Sequence, residues 1–350
     1  MVRVGINGFG TIGKRVADAV QAQPDMEVVG VVKASPDRGA ALAADRGFSL
    51  FAPDKERLQA FRRRDAGALG TLPDLLESVD IIVDATPGGI GERNAKRYRE
   101  ADIPYILQGA EPPDAAKASF CARVNGPACL GSDSLRVVSC NTTGLGRTLA
   151  LLDNIGPIRH VDATIVRRGG DPDQPDRGPI NDIVPAPVGR SHHGADVQTL
   201  RSEWSIRTAA VTVPTTLMHV HSVNVTFETV PSRHSIREQL AAEPRVSLVP
   251  PQQDLDTISA IAEVGRDMGR PRGDVWEVGL WEDSLEVDGR RLSFMQAIHQ
   301  ESIVVPETID AIRTLDGEDP LESAERTDEQ LGIGNLLFEE PTSKTLLTAE

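Results

Sequence analysis

The chain predicts an α/β protein in two parts: a parallel sheet flanked by helices, then an α+β part whose sheet is largely antiparallel. Three observations carry this. Short apolar runs alternate with amphipathic stretches from Val2 to Leu152, the pattern of strands covered on both faces. Beyond the stretch that follows Cys140 the texture changes, and runs such as Leu217 to Val225 alternate residue by residue. At roughly 150 residues per domain, a 350-residue chain accommodates two cores.

Composition excludes several function classes. With 39% hydrophobic and 25% charged residues the chain reads as soluble and globular. No stretch approaches the roughly 18 apolar residues of a membrane span. The first residues lack the layout of a signal peptide, so a cytoplasmic location is expected and no membrane partner. Acidic residues outnumber basic ones 52 to 37, for a net charge of -15, which disfavours nucleic acid as a partner. Only six of the basic residues are lysines. Three cysteines, Cys121, Cys129 and Cys140, suit neither a disulfide framework nor a metal site, so no metal is expected.

Val2 to Asn7 reads as a strand that runs into Gly8-Phe9-Gly10-Thr11-Ile12-Gly13, and Ile12, Val16, Ala19 and Val20 then line one helix face. A glycine triplet between a strand and a helix is the fingerprint of a dinucleotide site. Gly8 allows the tight turn, Gly10 the approach of a pyrophosphate, and Gly13 close helix packing. Met26 to Val32 is the second strand. Where an NAD site usually places an acid, this chain has Lys33-Ala34-Ser35, a cation and a hydroxyl suited to a 2'-phosphate, so NADP, or dual use of NADP and NAD, is expected.

From Gly39 to Leu72 the pattern is irregular, and Arg62 to Arg64 reads as a solvated helix face. Strands are expected at Asp80 to Thr86, Ile103 to Ala110 and Leu135 to Ser139, with a helix from Gly91 to Ala101. Ligands of such sheets gather at strand carboxyl ends, which makes Gln108 and Gly109 candidate cofactor contacts. The last strand delivers Cys140 to the same rim, ahead of a helical pattern from Gly144 to Leu152. Unpaired N–H groups at a helix start favour a thiolate, and a cysteine beside a nicotinamide can form a hemithioacetal and then a thioester. The bland alternative is a buried structural cysteine.

Val161 to Val166 reads as a strand, and Arg167 to Asp196 as a long connection rich in glycine, proline and aspartate. It carries Arg167-Arg168 and His192-His193, groups suited to a phosphorylated substrate. Further strands are expected at Ala209 to Pro214 and Leu217 to Glu228. In the latter, His219 and His221 share one face, and either is a candidate general base. Val275 to Leu292 suggests two strands and a hairpin, and Pro306 opens a helix through Ile309 and Ile312. Asp316 to Glu329 reads as a solvated loop and helix.

Taken together these residues resemble the archaeal-type phosphorylating glyceraldehyde-3-phosphate dehydrogenases. The matching stretches are INGFGTIGKRV from Ile6, VSCNTTGLGRT from Val138, RRGGDPDQPDRGPINDIVP from Arg167, SHHG from Ser191, VPTTLMHVHS from Val213 and HQESIVVPETIDAIR from His299. They span nearly the whole chain in family order. The resemblance implies a Rossmann domain over residues 1–139, rejoined by 301–350, a catalytic domain over 140–300, and a homotetramer using NAD or NADP. It implies Cys140 as nucleophile and His219 as base, with His221 left open. Ser139, Asn141, His192 and His193 would bind substrate, joined by Arg167, and Thr11, Ile12, Gly109, Arg168 and Gln300 would contact the cofactor. The implied substrates are glyceraldehyde 3-phosphate and inorganic phosphate.

Overall fold

The computed structural model describes residues 1–108, 111–170 and 178–334. The described residues fold into two compact units: one within 1–147, 193–203 and 301–331, the other within 148–192, 204–300 and 332–334.

The first unit is built on β1 (Val2–Asn7), β2 (Met26–Val32), β3 (Leu50–Ala52), β4 (Gly70–Thr71), β5 (Ile81–Asp84), β6 (Tyr105–Gln108), β7 (Ala118–Phe120) and β8 (Ser134–Val137). All pair in parallel, in the order β4-β3-β2-β1-β5-β6-β8-β7. The order reverses between β1 and β5, and the crevice at such a switch point is where ligands of these sheets bind. Parallel pairing also brings the ends of β1, β2, β6 and β8 to one edge. Strand β5 is buried along its whole length, as the unbroken apolar run Ile81-Ile82-Val83 implies. The helix Thr11–Gln21 packs Val16, Ala17, Ala19 and Val20 inward.

The irregular stretch after Gly39 holds two helices, Arg38–Asp45 and Lys55–Arg63, and the strands β3 and β4. Strands of two or three residues are too short for a period to register, and the second helix buries only Leu58 and Phe61. Arg62 to Arg64 are exposed, as a solvated face requires.

Two C-terminal helices complete this unit. Val304–Leu315 is buried almost throughout, with Pro306 in its first turn, where no N–H is needed. The second, Pro320–Leu331, is only half solvated: Ser323, Ala324, Thr327 and Asp328 face inward. Asp310 accepts from Ser323 Oγ (2.8 Å) and Thr327 Oγ1 (2.6 Å). A small polar inner face satisfied by one buried carboxylate is invisible to a search for apolar periodicity. Arg313, also buried, joins the pair to the turn before β2 through Asp25 (2.7 and 2.8 Å) and Gln23 (2.7 Å).

The second unit has β9 (Ile158–Arg168), β10 (Val184–Ala186), β11 (Ile206–Val213), β12 (His219–Phe227), β13 (Val246–Val249), β14 (Val278–Trp281), β15 (Glu286–Asp288) and β16 (Arg291–Ile298). Their order is β10-β11-β9-β12-β16-β14-β13, with β15 beside β16. Among the described residues only the β11/β9 and β13/β14 pairs are parallel, so the sheet is largely antiparallel. Along β12 burial alternates, and His219, His221, Val223, Val225 and Phe227 share the buried face. Among the described residues no helix is long and apolar enough to cross a membrane.

Candidate active site

The glycine loop has the form of a phosphate cradle. Gly8 sits at φ +104°, and a Cβ there would meet the Ala85 backbone at 2.7 Å. A Cβ on Gly13 would lie 1.8 Å from the Gly8 carbonyl oxygen. Gly10 differs: among the described residues a Cβ there meets nothing within 4 Å. The chain's own packing therefore demands two of the glycines, while the third faces open space at the start of the helix Thr11–Gln21. Gly10 is the N-cap of that helix, and no side chain among the described residues caps it. Thr11 and Ile12 open its first turn. Open space beside uncapped N–H groups at a helix start suits a pyrophosphate, so the residues present fit a dinucleotide.

Beneath the loop, Asp84 at the end of β5 is buried and gathers four side chains. It accepts from Tyr98 OH (2.6 Å), Asn94 Nδ2 (2.8 Å), Asn7 Nδ2 (3.3 Å) and the Thr86 hydroxyl. Burial and the adjacent Asp84 charge push the Tyr98 phenol well above its ordinary range, so it remains a donor. The network fixes the two strand ends that frame the switch point, β1 and β5.

Lys33 follows β2, and its Nζ lies 2.9 Å from Asp37 Oδ2. The cation expected to meet a 2'-phosphate is thus already paired with an acid. Gln108, at the end of β6, donates to Thr308 Oγ1 at 3.1 Å. Gly109 lies outside the described residues, as do 171–177 of the long connection.

Cys140 is the first residue of the helix Cys140–Ile155, which begins four residues earlier than the leucine pattern indicates. Ser139 acts as its cap: its Oγ accepts from the Thr142 N–H (3.3 Å) and its carbonyl from the Thr143 N–H (2.8 Å). The signal available in the sequence is the serine three residues before Thr142. Cys140 is partly exposed, whereas Cys121 and Cys129 are buried. Burial pushes the Cys129 thiol up to about 11, so Cys140 is the cysteine placed for reaction. Asn141, the next residue, is buried.

One buried network has no counterpart among the sequence expectations. Arg136 of β8 is 1% exposed and donates to Asp196 Oδ1 (2.7 Å) and Ser119 Oγ (2.7 Å). The other carboxylate oxygen of Asp196 accepts from the Thr142 hydroxyl, which lies 2.9 Å from Ser139 Oγ. Asp196 belongs to the short helix His193–Gln198. A chain of polar contacts thus joins the helix that starts at His193 to the turn that carries Cys140. The participants are 54 and 60 residues apart, a separation at which sequence carries no sign of a partner.

In the second unit, three predicted residues come together. The Arg168 backbone N–H donates to His219 Nδ1 (2.9 Å), and its Nε donates to Gln300 Oε1 (2.8 Å). Arg168 Nη1 also donates to the Thr216 carbonyl (3.0 Å). His219 opens β12, opposite Ile298. His221 stands two residues deeper, fully buried, with Nδ1 3.0 Å from Gln296 Nε2. Arg167, on the other face of β9, is half-buried; its Nε is enclosed and has no hydrogen-bond partner among the described residues. His192 is exposed and His193 is 2% exposed, so the histidine pair is not presented alike.

These features define the class: a dinucleotide-binding α/β protein with a partly exposed cysteine at the sheet edge that carries the glycine loop. Residues 139–267 match the family model for the glyceraldehyde 3-phosphate dehydrogenase C-terminal domain. A glyceraldehyde-3-phosphate dehydrogenase of Haloarcula marismortui is 51% identical over 342 residues, covering 97% of this chain and 96% of the relative. That of Hyperthermus butylicus is 47% identical (95% and 97% covered) and that of Thermococcus kodakarensis 46% (95% and 99% covered). The chain belongs to the glyceraldehyde-3-phosphate dehydrogenase family, in its archaeal type. It is accordingly an oxidoreductase of the aldehyde group that uses a nicotinamide dinucleotide.

Proposed function

We propose that the chain oxidises D-glyceraldehyde 3-phosphate, with inorganic phosphate, to 1,3-bisphosphoglycerate through a thioester on Cys140. The observation that carries this reading is Cys140 itself, the one partly exposed cysteine, at the first position of a helix capped by Ser139. Residues 1–139 with 301–350 would serve as the cofactor domain and 140–300 as the catalytic domain, with 140–147 and 193–203 packed into the first compact unit.

The helix start favours the Cys140 thiolate, which attacks the aldehyde carbon. The Cys140 backbone N–H and the His219 ring hold the oxyanion. When bound, the nicotinamide supplies the hydride acceptor that turns the hemithioacetal into a thioester. Inorganic phosphate then attacks the thioester carbonyl, the acyl phosphate leaves, and the thiolate is regenerated. Ser139 and Asn141 flank the reacting carbon, while Arg167, His192 and His193 bind the phosphate groups. Gly8, Gly10, Thr11, Ile12 and Gly13 would hold the pyrophosphate, and Gly109, Arg168 and Gln300 the nicotinamide end.

His219 rather than His221 takes the histidine's part, because His219 lies at a strand end while His221 is paired with Gln296 inside the sheet. The Arg168 hydrogen bond supports a donor's role. A backbone N–H can only donate, so Nδ1 accepts and the neutral ring carries its proton on Nε2. To take a proton at Nε2, as a general base must, the ring would first have to give up that bond.

A cytoplasmic homotetramer is the assembly this reading implies. Ile180, Ile183, Val184 and Val188 are exposed within one short segment, an apolar surface suited to a second copy. Turnover of glyceraldehyde 3-phosphate with NAD or NADP, dependent on added phosphate, tests the function. Retention of more than a trace of activity in Cys140→Ser would refute covalent catalysis.

A further inference from the structure

The Gly8 N–H donates to the Val32 carbonyl at 3.2 Å, so the end of β2 lies directly beside the glycine loop. In sheets of this type that strand end receives the adenosine ribose. The turn there is organised by Asp37. Its Oδ2 lies 2.9 Å from Lys33 Nζ and accepts from Ser35 Oγ at 2.9 Å. Its Oδ1 caps the helix Arg38–Asp45, accepting from the N–H groups of Gly39 (2.8 Å) and Ala40 (3.2 Å). The Lys33 stem lies over Gly39, where a Cβ would meet Cε at 2.7 Å. From the other side Arg64 Nη1 donates to the Pro36 carbonyl at 3.4 Å.

We propose that Asp37 sets the choice between NAD and NADP, by holding the Lys33 ammonium and the Ser35 hydroxyl away from a 2'-phosphate. The proposal rests on the reading that a dinucleotide binds at the glycine loop. A ribose 2'-hydroxyl leaves the Lys33–Asp37 pair intact. A 2'-phosphate must draw Lys33 and Ser35 off Asp37 and then sit beside that carboxylate. Although burial pushes the Asp37 carboxyl up, Lys33, Ser35 and the Ala40 N–H outweigh it and bring it down to about 2. The opposing charge is therefore present throughout the neutral range. Lys33 alone argues for NADP, and its partner four residues on reverses that argument.

Asp37→Asn tests the proposal, because asparagine is an equally good helix cap and lacks the charge. The ratio of kcat/KM for NADP over NAD is expected to rise about tenfold, the effect of a single pairing of modest strength. In the double variant Lys33→Met, Asp37→Asn the gain is expected to shrink to the part that loss of the carboxylate charge supplies by itself. Calorimetric titration with 2',5'-ADP, with 5'-AMP as control, should show the same change without turnover, and salt should shrink it. An unchanged ratio in Asp37→Asn overturns the proposal, as does a gain that is undiminished without Lys33. If glyceraldehyde 3-phosphate is not oxidised with either cofactor, the functional reading fails, and the 2',5'-ADP titration still decides the role of Asp37.

Discussion

The Arg168 backbone N–H donates to Nδ1 of His219 at 2.9 Å, while the guanidinium of the same residue donates to Gln300. One residue at the end of β9 thus fixes the tautomer of the histidine and the orientation of the glutamine proposed above to contact the cofactor. Removing the ring should lower kcat/KM about 100- to 1000-fold, the range for loss of an oxyanion donor. His219→Asn is the variant to measure. Nitrogen NMR of the wild-type ring should find the proton on Nε2, and a proton on Nδ1 would restore the general-base role.

Gly10 and Gly13 should separate binding from folding. Gly10→Ala adds a methyl where the described residues place nothing within 4 Å. Its Tm should stay close to wild type while KM for the dinucleotide rises about tenfold or more, since the methyl takes the space of the pyrophosphate. Gly13→Ala drives a Cβ to 1.8 Å from the Gly8 carbonyl, so the loop must move. Both Tm and cofactor affinity should fall, by about 1 to 3 kcal/mol for stability. Parallel thermal melts and cofactor titrations check the pair.

Thr142 is fully buried, and its hydroxyl bridges Asp196 and Ser139. Thr142→Val keeps the shape and removes the bridge. It should cost about 1 to 3 kcal/mol in denaturant unfolding, because Asp196 loses a buried donor. As Ser139 and the cysteine turn lose their brace, kcat/KM should fall by about 10- to 100-fold. Unchanged kinetics with lowered stability would mean that the bridge serves folding alone.

Iodoacetamide near neutral pH should modify one cysteine per chain, Cys140, with loss of activity. Mass spectrometry of a tryptic digest identifies it. Cys129 also predicts a difference at high pH. Its thiol titrates at about 11 in the fold against 9.0 in the free residue, so the unfolded chain loses that proton first. The associated stability is complete below pH 9 and falls as pH rises toward 11. Across that window the wild type should lose about 2 to 3 kcal/mol more than Cys129→Ala. Equal slopes for the two proteins would refute this.

Much of the molecule was legible because its signals are local. The glycine triplet, the uninterrupted strand at Ile81 to Val83 and the alternation around His219 each express a backbone geometry over a few residues. The expected α/β class and the two kinds of sheet are present. Illegible were strands of two or three residues, and the helix Pro320–Leu331, whose inner face is built from serine, alanine, threonine and aspartate. Polar contacts across long separations, such as Arg136 with Asp196, left no local trace.

The sequence by itself determined the two kinds of sheet, the glycine cradle and the candidacy of Cys140. Those properties follow from hydrophobic period and from what glycine and a thiol can do. Only the tertiary structure decided which groups are already engaged. It paired Lys33 with Asp37, set Arg168 against His219 and Gln300, and buried His221 beside Gln296. The physical reason is that a charge or a lone pair acts only through what stands within about 3 Å of it, and that neighbour is chosen by the fold.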